Sequence, residues 1–203
     1  MAPTHTVRFQ FSEPTWRGRR PAIFLDRDGV INERIVGGYV ISWRDFRFLD
    51  GIVLVLRELE RLKLPMIVVS NQAGIGKGLM GRSALRDITE RFVRAFARQG
   101  VRIDAAYYCP HTPNDGCPCR KPRPGLVLQA AREWRLDLGR SVLIGDSPHD
   151  VETALAAGSR GLLFDASGEH AGFANTGSEG RVAVVSQLAQ IPGQIARFWG
   201  GVW

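Results

Sequence analysis

Short apolar runs alternate along this chain with longer stretches in which apolar residues recur every three or four positions. Ala22 to Leu25, Pro65 to Val69, Ala105 to Tyr108, Ser141 to Ile144, Gly161 to Phe164 and Val182 to Val185 have strand length and are apolar at consecutive positions. Between them, Ile52 to Leu62, Leu85 to Phe96, Gly125 to Trp134 and Val151 to Ala157 carry the spacing of helices with one apolar face, and Pro124 opens the third. Strands of this kind are buried on both faces, and strand–helix alternation is the rhythm of βαβ units. The pattern therefore predicts an α/β fold, a doubly wound, mainly parallel sheet with helices on each side. In such sheets ligands bind beyond the carboxyl ends of the strands. Residues 1–20 are expected as an irregular extension and 21–203 as a single domain. Ala166 to Gly180 reads as a surface loop, and the last turns, with Phe198, Trp199 and Trp203, as a helix and tail packed on the body.

Composition narrows the class. With 203 residues, 44% hydrophobic and 23% charged, the chain can bury one good core and resembles neither a disordered nor a membrane protein. No apolar run approaches the roughly 18 residues of a membrane span, and MAPTHTVRFQ lacks the apolar core of a secretory signal, so a cytoplasmic location is expected. The net charge of +7 is dispersed, and its one cluster, Arg17, Arg19 and Arg20, is too short for a nucleic-acid arm. A solvated arginine surface is the first reading, and a phosphorylated substrate would profit from the same field.

Acidic pairs fall where the fold expects chemistry. Asp26 and Asp28 follow the first strand, and Asp146 and Asp150 follow Ser141 to Ile144. Neighbouring carboxylates repel until a divalent cation binds, and hard oxygen donors favour magnesium; a solvated Asp-Gly turn is the alternative. Asp150 also suits the first turn of a helix, where it would act as a cap. The strand Pro65 to Val69 ends in Ser70 and Asn71, then a Gly-rich stretch to Gly78 that could present N–H groups to phosphate but lacks the ending of a nucleotide-binding P-loop.

Cys109, His111, Cys117 and Cys119 place three thiols and one imidazole within eleven residues, and these are all the cysteines of the chain. That ligand set suits zinc, and four protein ligands would leave no open position, so loop 109–119 is expected to be a structural zinc site. Arg120 and Lys121 follow directly, so folding the loop on metal would aim both cations.

Taken in order, FLDRDGVIN, VVSNQAGIGKG, CRKPRPG and IGDSPHD resemble the four motifs of haloacid dehalogenase-like phosphatases, across Ala22 to Gly158. With CPH and CPC added, the resemblance is to the zinc-containing branch that holds heptose-bisphosphate and histidinol-phosphate phosphatases. It implies a fold without a large cap domain and magnesium-dependent hydrolysis of a phosphomonoester through an aspartyl phosphate. It further implies that Asp26 is the nucleophile, that Asp28 is acid then base, and that Ser70 and Lys121 stabilise the phosphoryl group. Magnesium would sit on Asp26, the backbone carbonyl of Asp28, and Asp146, with Asp150 in support. Asn71, Arg120, Gly38 and Tyr39 would contact substrate. The implied reaction converts D-glycero-D-manno-heptose 1,7-bisphosphate to heptose 1-phosphate, a step of carbohydrate metabolism performed by a monomer. Histidinol phosphate, a polynucleotide 3′-phosphate, or a zinc-stabilised nucleic-acid-binding module stand as alternatives, the last leaving the aspartates without a purpose. Two departures from the branch are Ser147, where a basic residue is frequent, and a longer loop at Glu33 to Gly38.

Overall fold

A computed structural model describes residues 6–170, 173 and 180–200. Seven strands form one sheet: β1 (Val7–Gln10), β2 (Ile23–Leu25), β3 (Met66–Asn71), β4 (Ala105–Cys109), β5 (Val142–Gly145), β6 (Arg160–Phe164) and β7 (Val182–Val185), in the order β1-β4-β3-β2-β5-β6-β7. All pairings are parallel except β1 with β4. The chain winds outward from β2 through β3 to β4, then returns to place β5, β6 and β7 on the other side. The direction of winding therefore reverses between β2 and β5, the position at which doubly wound sheets bind ligands.

Alternate residues of each strand feed opposite layers, as the pleat requires. Ile23, Leu25, Met66, Val68, Val142 and Ile144 pack into the larger core with α1 (Ile52–Glu60), α3 (Arg82–Arg98) and α6 (Ile191–Phe198). Phe24, Ile67, Val69 and Leu143 face the other way, against α4 (Gly125–Trp134) and residues of α5 (Pro148–Ala156). A short helix, α2 (Ala73–Gly76), follows β3. Between β2 and α1 lies only a three-residue turn of helix, Trp43–Asp45, and no cap domain stands over the sheet among the described residues. None of the described helices is long and apolar enough to cross a membrane.

One expectation needs correction. Within the stretch read as an irregular extension, Val7–Gln10 is a strand on the sheet's edge, registered Val7 to Tyr108 and Gln10 to Ala105. Its four residues alternate: Val7 and Phe9 turn toward the core, while Arg8 reaches Glu133 at 3.1 Å. Four alternating positions are too short a signal to separate from irregular chain, and the pairing with β4 decides the matter. Asp104 then ties the following residues down, accepting from Ser12 Oγ at 2.5 Å and, through its backbone carbonyl, from Phe11 N at 2.9 Å. Of the expected Gly- and Ser-rich loop, residues 171–172 and 174–179 lie outside the described residues, as does Trp203.

Candidate active site

Asp26 leaves the carboxyl end of β2, and Asp146 that of β5, so the reversal of winding sets them side by side. The turn after Asp26 is closed by backbone hydrogen bonds from Ile31 and Gly29, the latter to Asn32 O at 2.7 Å. Gly29 is required there twice over: its φ is +89°, and a Cβ would stand 2.0 Å from Asp146 Oδ2. Carboxylate oxygens of Asp26, Asp146 and Asp150 all lie within 4.8 Å of one another. Burial, helped by Asp150, Asp146 and Asp28 and opposed by Lys121, pushes Asp26 up to about 7. Asp146 is raised in the same way, by burial and by Asp150, against Arg34 and Lys121. Asp26 Oδ1 is buried and meets the Lys121 ammonium at 2.8 Å. Crowded, desolvated hard-oxygen donors of this kind fit a divalent cation, which would relieve their repulsion.

Lys121 brings a single positive charge into the middle of these acids. Its Nζ is 2.8 Å from Asp26 Oδ1 and 2.5 Å from Asp150 Oδ1, with the side chain 4% exposed. Burial works against the charged ammonium, yet Asp150 and Asp26 outweigh it and raise its pKa above the usual lysine value. Asn71, the last residue of β3, holds the lysine's backbone at both ends, accepting from Lys121 N at 3.0 Å and donating to Lys121 O at 3.1 Å. Asp150 serves two purposes with its two oxygens. Oδ2 accepts from Ser147 N at 3.2 Å and Ser147 Oγ at 2.9 Å, capping α5, while Oδ1 takes the lysine.

The Asp28 carboxylate points elsewhere. It accepts from Arg27 Nη2, Asn32 Nδ2 and Gln72 Nε2, each at 2.9 Å. Burial alone would raise its pKa, but Arg27 with Asn32 and Gln72 holds it below the ordinary carboxylate value. Gln72 also donates to Ser70 Oγ at 3.2 Å, linking the hydroxyl at the end of β3 to Asp28. Asp26, Arg27, Asp28, Ser70, Asn71, Gln72, Lys121 and Asp146 line a cavity of about 390 Å³ together with Gly38, Tyr39, Arg120, Arg34, Ser147 and His149. The Tyr39 ring packs over Gly74 and lies 5.2 Å from Lys77 Nζ. A larger groove, about 810 Å³, lies among Leu128, Arg135 and Leu138, between α4 and the turn that precedes β5, and contains none of the motif residues.

Beside this pocket, Cys109, His111, Cys117 and Cys119 converge and are buried. Cys109 Sγ is 3.4 Å from His111 Nδ1 and 3.5 Å from Cys117 Sγ, and Cys119 Sγ is 3.2 Å from His111 Nδ1 and 3.5 Å from Cys117 Sγ. Disulfide sulfurs would be about 2.05 Å apart, so these are free thiols grouped around a space that could hold one metal ion. Cys109 is lowered to about 5 by Cys119 and, against burial, by His111, while Cys119 is raised. The loop's far end is set by Gly125, whose Cβ position would be 2.4 Å from Pro118 O.

Comparison with known proteins agrees with this geometry. Residues 118–190 match a family model described as "HAD-hyrolase-like". The D-glycero-beta-D-manno-heptose-1,7-bisphosphate 7-phosphatase of Yersinia pestis is 40% identical over 144 residues, covering 68% of this chain and 76% of that protein. The enzyme of the same name from Vibrio cholerae is 39% identical over 146 residues, 68% and 77% of the two chains. A crystal structure of D,D-heptose 1.7-bisphosphate phosphatase from B. bronchiseptica, complexed with magnesium and phosphate, superposes with a TM-score of 0.78 at 32% identity, over 87% of this chain and 98% of that one. The chain belongs to the HAD-like phosphatases.

In this HAD-like phosphatase the structure gathers Asp26, Asp28, Ser70, Asn71, Arg120, Lys121, Asp146, Gly38 and Tyr39 around one cavity, with Asp150 behind Lys121. The third carboxylate grouped with Asp26 and Asp146 is that of Asp150, and the Asp28 side chain is engaged by Arg27, Asn32 and Gln72. Sequence reasoning did not single out Arg27, Asn32, Gln72, Arg34 or His149. Arg27 carried a usable signal, an arginine between two aspartates in an otherwise apolar segment, and it is fully buried. Gly145 is the packing constraint behind the site, since a Cβ there would lie 2.1 Å from Asp150 Cγ. Gly145→Ala is therefore expected to displace Asp150, destabilise the HAD-like phosphatase by about 1–3 kcal/mol and free Lys121. Thermal unfolding and phosphate release from a generic monoester should both fall; unchanged values would show that Asp150 does not hold the lysine.

Proposed function

We propose that this HAD-like phosphatase removes the 7-phosphate of D-glycero-D-manno-heptose 1,7-bisphosphate, with Asp26 as nucleophile. The observation that carries the reading is the buried Asp26 at the reversal of winding, 2.8 Å from Lys121 and grouped with Asp146, in a chain 40% identical to a heptose-bisphosphate phosphatase. Lys121 and Ser70 hold the phosphoryl oxygens, Asp26 attacks phosphorus, and the bond to the leaving oxygen breaks as Asp28 gives that oxygen a proton. Arg27, with Asn32 and Gln72, favours the carboxylate form of Asp28, so the proton it gives the leaving oxygen is one it takes up from solvent before that bond breaks. Asp28 then takes a proton from water, which attacks phosphorus and releases Asp26. Magnesium on Asp26, the backbone carbonyl of Asp28, and Asp146 would neutralise the charge that otherwise keeps a phosphodianion from a carboxylate. Arg120, Gly38 and Tyr39 contact the sugar side of the substrate, and Asn71 acts there and through the Lys121 backbone it holds. We assign a cytoplasmic location and a monomeric state to the same reading.

Zinc is the metal proposed for the cysteine site. Thiolates about 2.3 Å from a tetrahedral centre are about 3.8 Å apart, and such a thiolate and an imidazole nitrogen about 3.6 Å, near the 3.2–3.5 Å separations of these sulfur and nitrogen atoms. Its role is structural: it would fix the loop that delivers Arg120 and Lys121. The Arg120 Nη1 bond to His111 O at 3.2 Å and the Arg123 Nη1 bond to Cys117 O at 2.6 Å support that coupling.

The deciding experiment compares kcat/KM for heptose 1,7-bisphosphate, histidinol phosphate and a DNA 3′-phosphate. Preference for the bisphosphate is expected; preference for either of the others would overturn the substrate. Asp26→Asn should abolish turnover with the fold and zinc content intact, and Asp28→Asn should lose about 10²- to 10⁴-fold in kcat. Substantial activity in Asp26→Asn would mean that another group attacks phosphorus. Metal analysis should find one zinc per chain, lost with a drop in unfolding temperature in a Cys117→Ser/Cys119→Ser variant. Full stability and activity in that variant would contradict the structural role.

A further inference from the structure

The cations around the catalytic cavity differ in how far their donors are already committed. Arg27 is fully buried and directs Nε and Nη2 to Asp28. Lys121 is held between Asp26 and Asp150, and Arg120 gives Nη1 to the His111 carbonyl. Arg34 stands apart. It comes from the loop between β2 and α1, its side chain is 62% exposed, and it meets Asp146 Oδ2 through Nη1 at 3.4 Å, the long limit of a hydrogen bond.

That one contact is with a carboxylate of the group that a divalent cation would occupy. A cation on Asp146 satisfies the same negative charge, so its arrival weakens the hold on Arg34 and leaves a planar fork of donors at the cavity rim. Such a fork matches the oxygens of a phosphate. The other residues of its loop that line the cavity, Ile35, Gly37, Gly38, Tyr39 and Val40, carry no acid to hold it instead.

We propose that Arg34 reads the second phosphate of a bisphosphorylated substrate, leaving Asp146 for that phosphate once metal and substrate are bound. The inference rests on the sugar-bisphosphate reading above and adds a specificity-determining residue beside Asp146, from a different loop than the one that carries Arg120.

The test uses full-length, metal-loaded enzyme carrying Arg34→Ala or Arg34→Lys. Each variant is assayed on heptose 1,7-bisphosphate and on heptose 7-phosphate, which lacks the second phosphate. Arg34→Ala should lower kcat/KM for the bisphosphate about tenfold, mainly through KM. That is the low end for a charge-assisted hydrogen bond, because the guanidinium stays partly in solvent. The monophosphate should change by less than about threefold, and Arg34→Lys should recover part of the loss. The difference between the unmodified enzyme and Arg34→Ala should shrink as ionic strength rises toward about 1 M. Calorimetry adds a readout independent of turnover: the bisphosphate should bind Asp26→Asn protein about tenfold more tightly than the Asp26→Asn/Arg34→Ala double variant. Equal losses on both substrates, no loss, or a loss indifferent to salt would overturn the role of Arg34. Failure of the unmodified enzyme to favour the bisphosphate would instead sink the substrate reading on which the inference stands.

Discussion

Lys121 carries its ammonium into a site from which water is nearly excluded, between Asp26 at 2.8 Å and Asp150 at 2.5 Å. A buried charge in that position is tolerable only while its partners stay, since removing one partner of such a pair commonly costs about 3–5 kcal/mol. The partners are spread over the fold. Asp26 ends β2, Asp150 caps α5 beyond β5, and Asn71 at the end of β3 grips the lysine's backbone. One ion-pair network thus fixes the relative positions of three strand ends, which are also the walls of the catalytic cavity.

The cysteine loop is the part of this network that the sheet cannot position by itself. Residues 110–124 contain no regular element beyond a short turn of helix at Pro113–Asp115, yet they must deliver Lys121 with little freedom. The buried side chains of Cys109, His111, Cys117 and Cys119 gather the loop, and backbone bonds Gln72 N to Cys109 O at 2.7 Å and Gly76 N to Pro110 O at 2.8 Å lock it to α2. In the absence of a cap among the described residues, the cavity rim consists of such short loops. On the proposed function, substrate selection falls to a few side chains on them, with Arg120 from the cysteine loop and Arg34 from the loop between β2 and α1.

Much of the fold was legible because its signals are local. Strands β2, β3 and β5 are buried on both faces and therefore read as consecutive apolar residues, while the helices show one apolar face. β1 escaped because an edge strand of four residues needs only Val7 and Phe9 inside, and that alternation acquires meaning only beside β4. Arg27 and Gln72 escaped for a related reason. An arginine or glutamine has no intrinsic preference for burial, and each is buried here because Asp28 is within 2.9 Å to receive its hydrogen bond. Along the chain Asp150 read as a helix cap or as a support for magnesium; the Lys121 contact came only with the fold, which gives one carboxylate oxygen to the cap and the other to the lysine.

By itself the sequence determined the chemical inventory and the edge of the sheet where it lies. Asp26 and Asp146 follow strands, Ser70, Asn71 and Cys109 are the last residues of theirs, and parallel strands all end on the same side. Tertiary structure decided which of those groups touch. Asp26 and Asp146 are 120 positions apart in the chain and become neighbours because β2 pairs with β5, a choice made by the packing of two helical layers and not by either strand's own residues. The same non-local pairing put Asp150 behind Lys121 and brought Arg34 to Asp146. Distances of this kind depend on the summed geometry of the whole sheet, which no local stretch of sequence encodes.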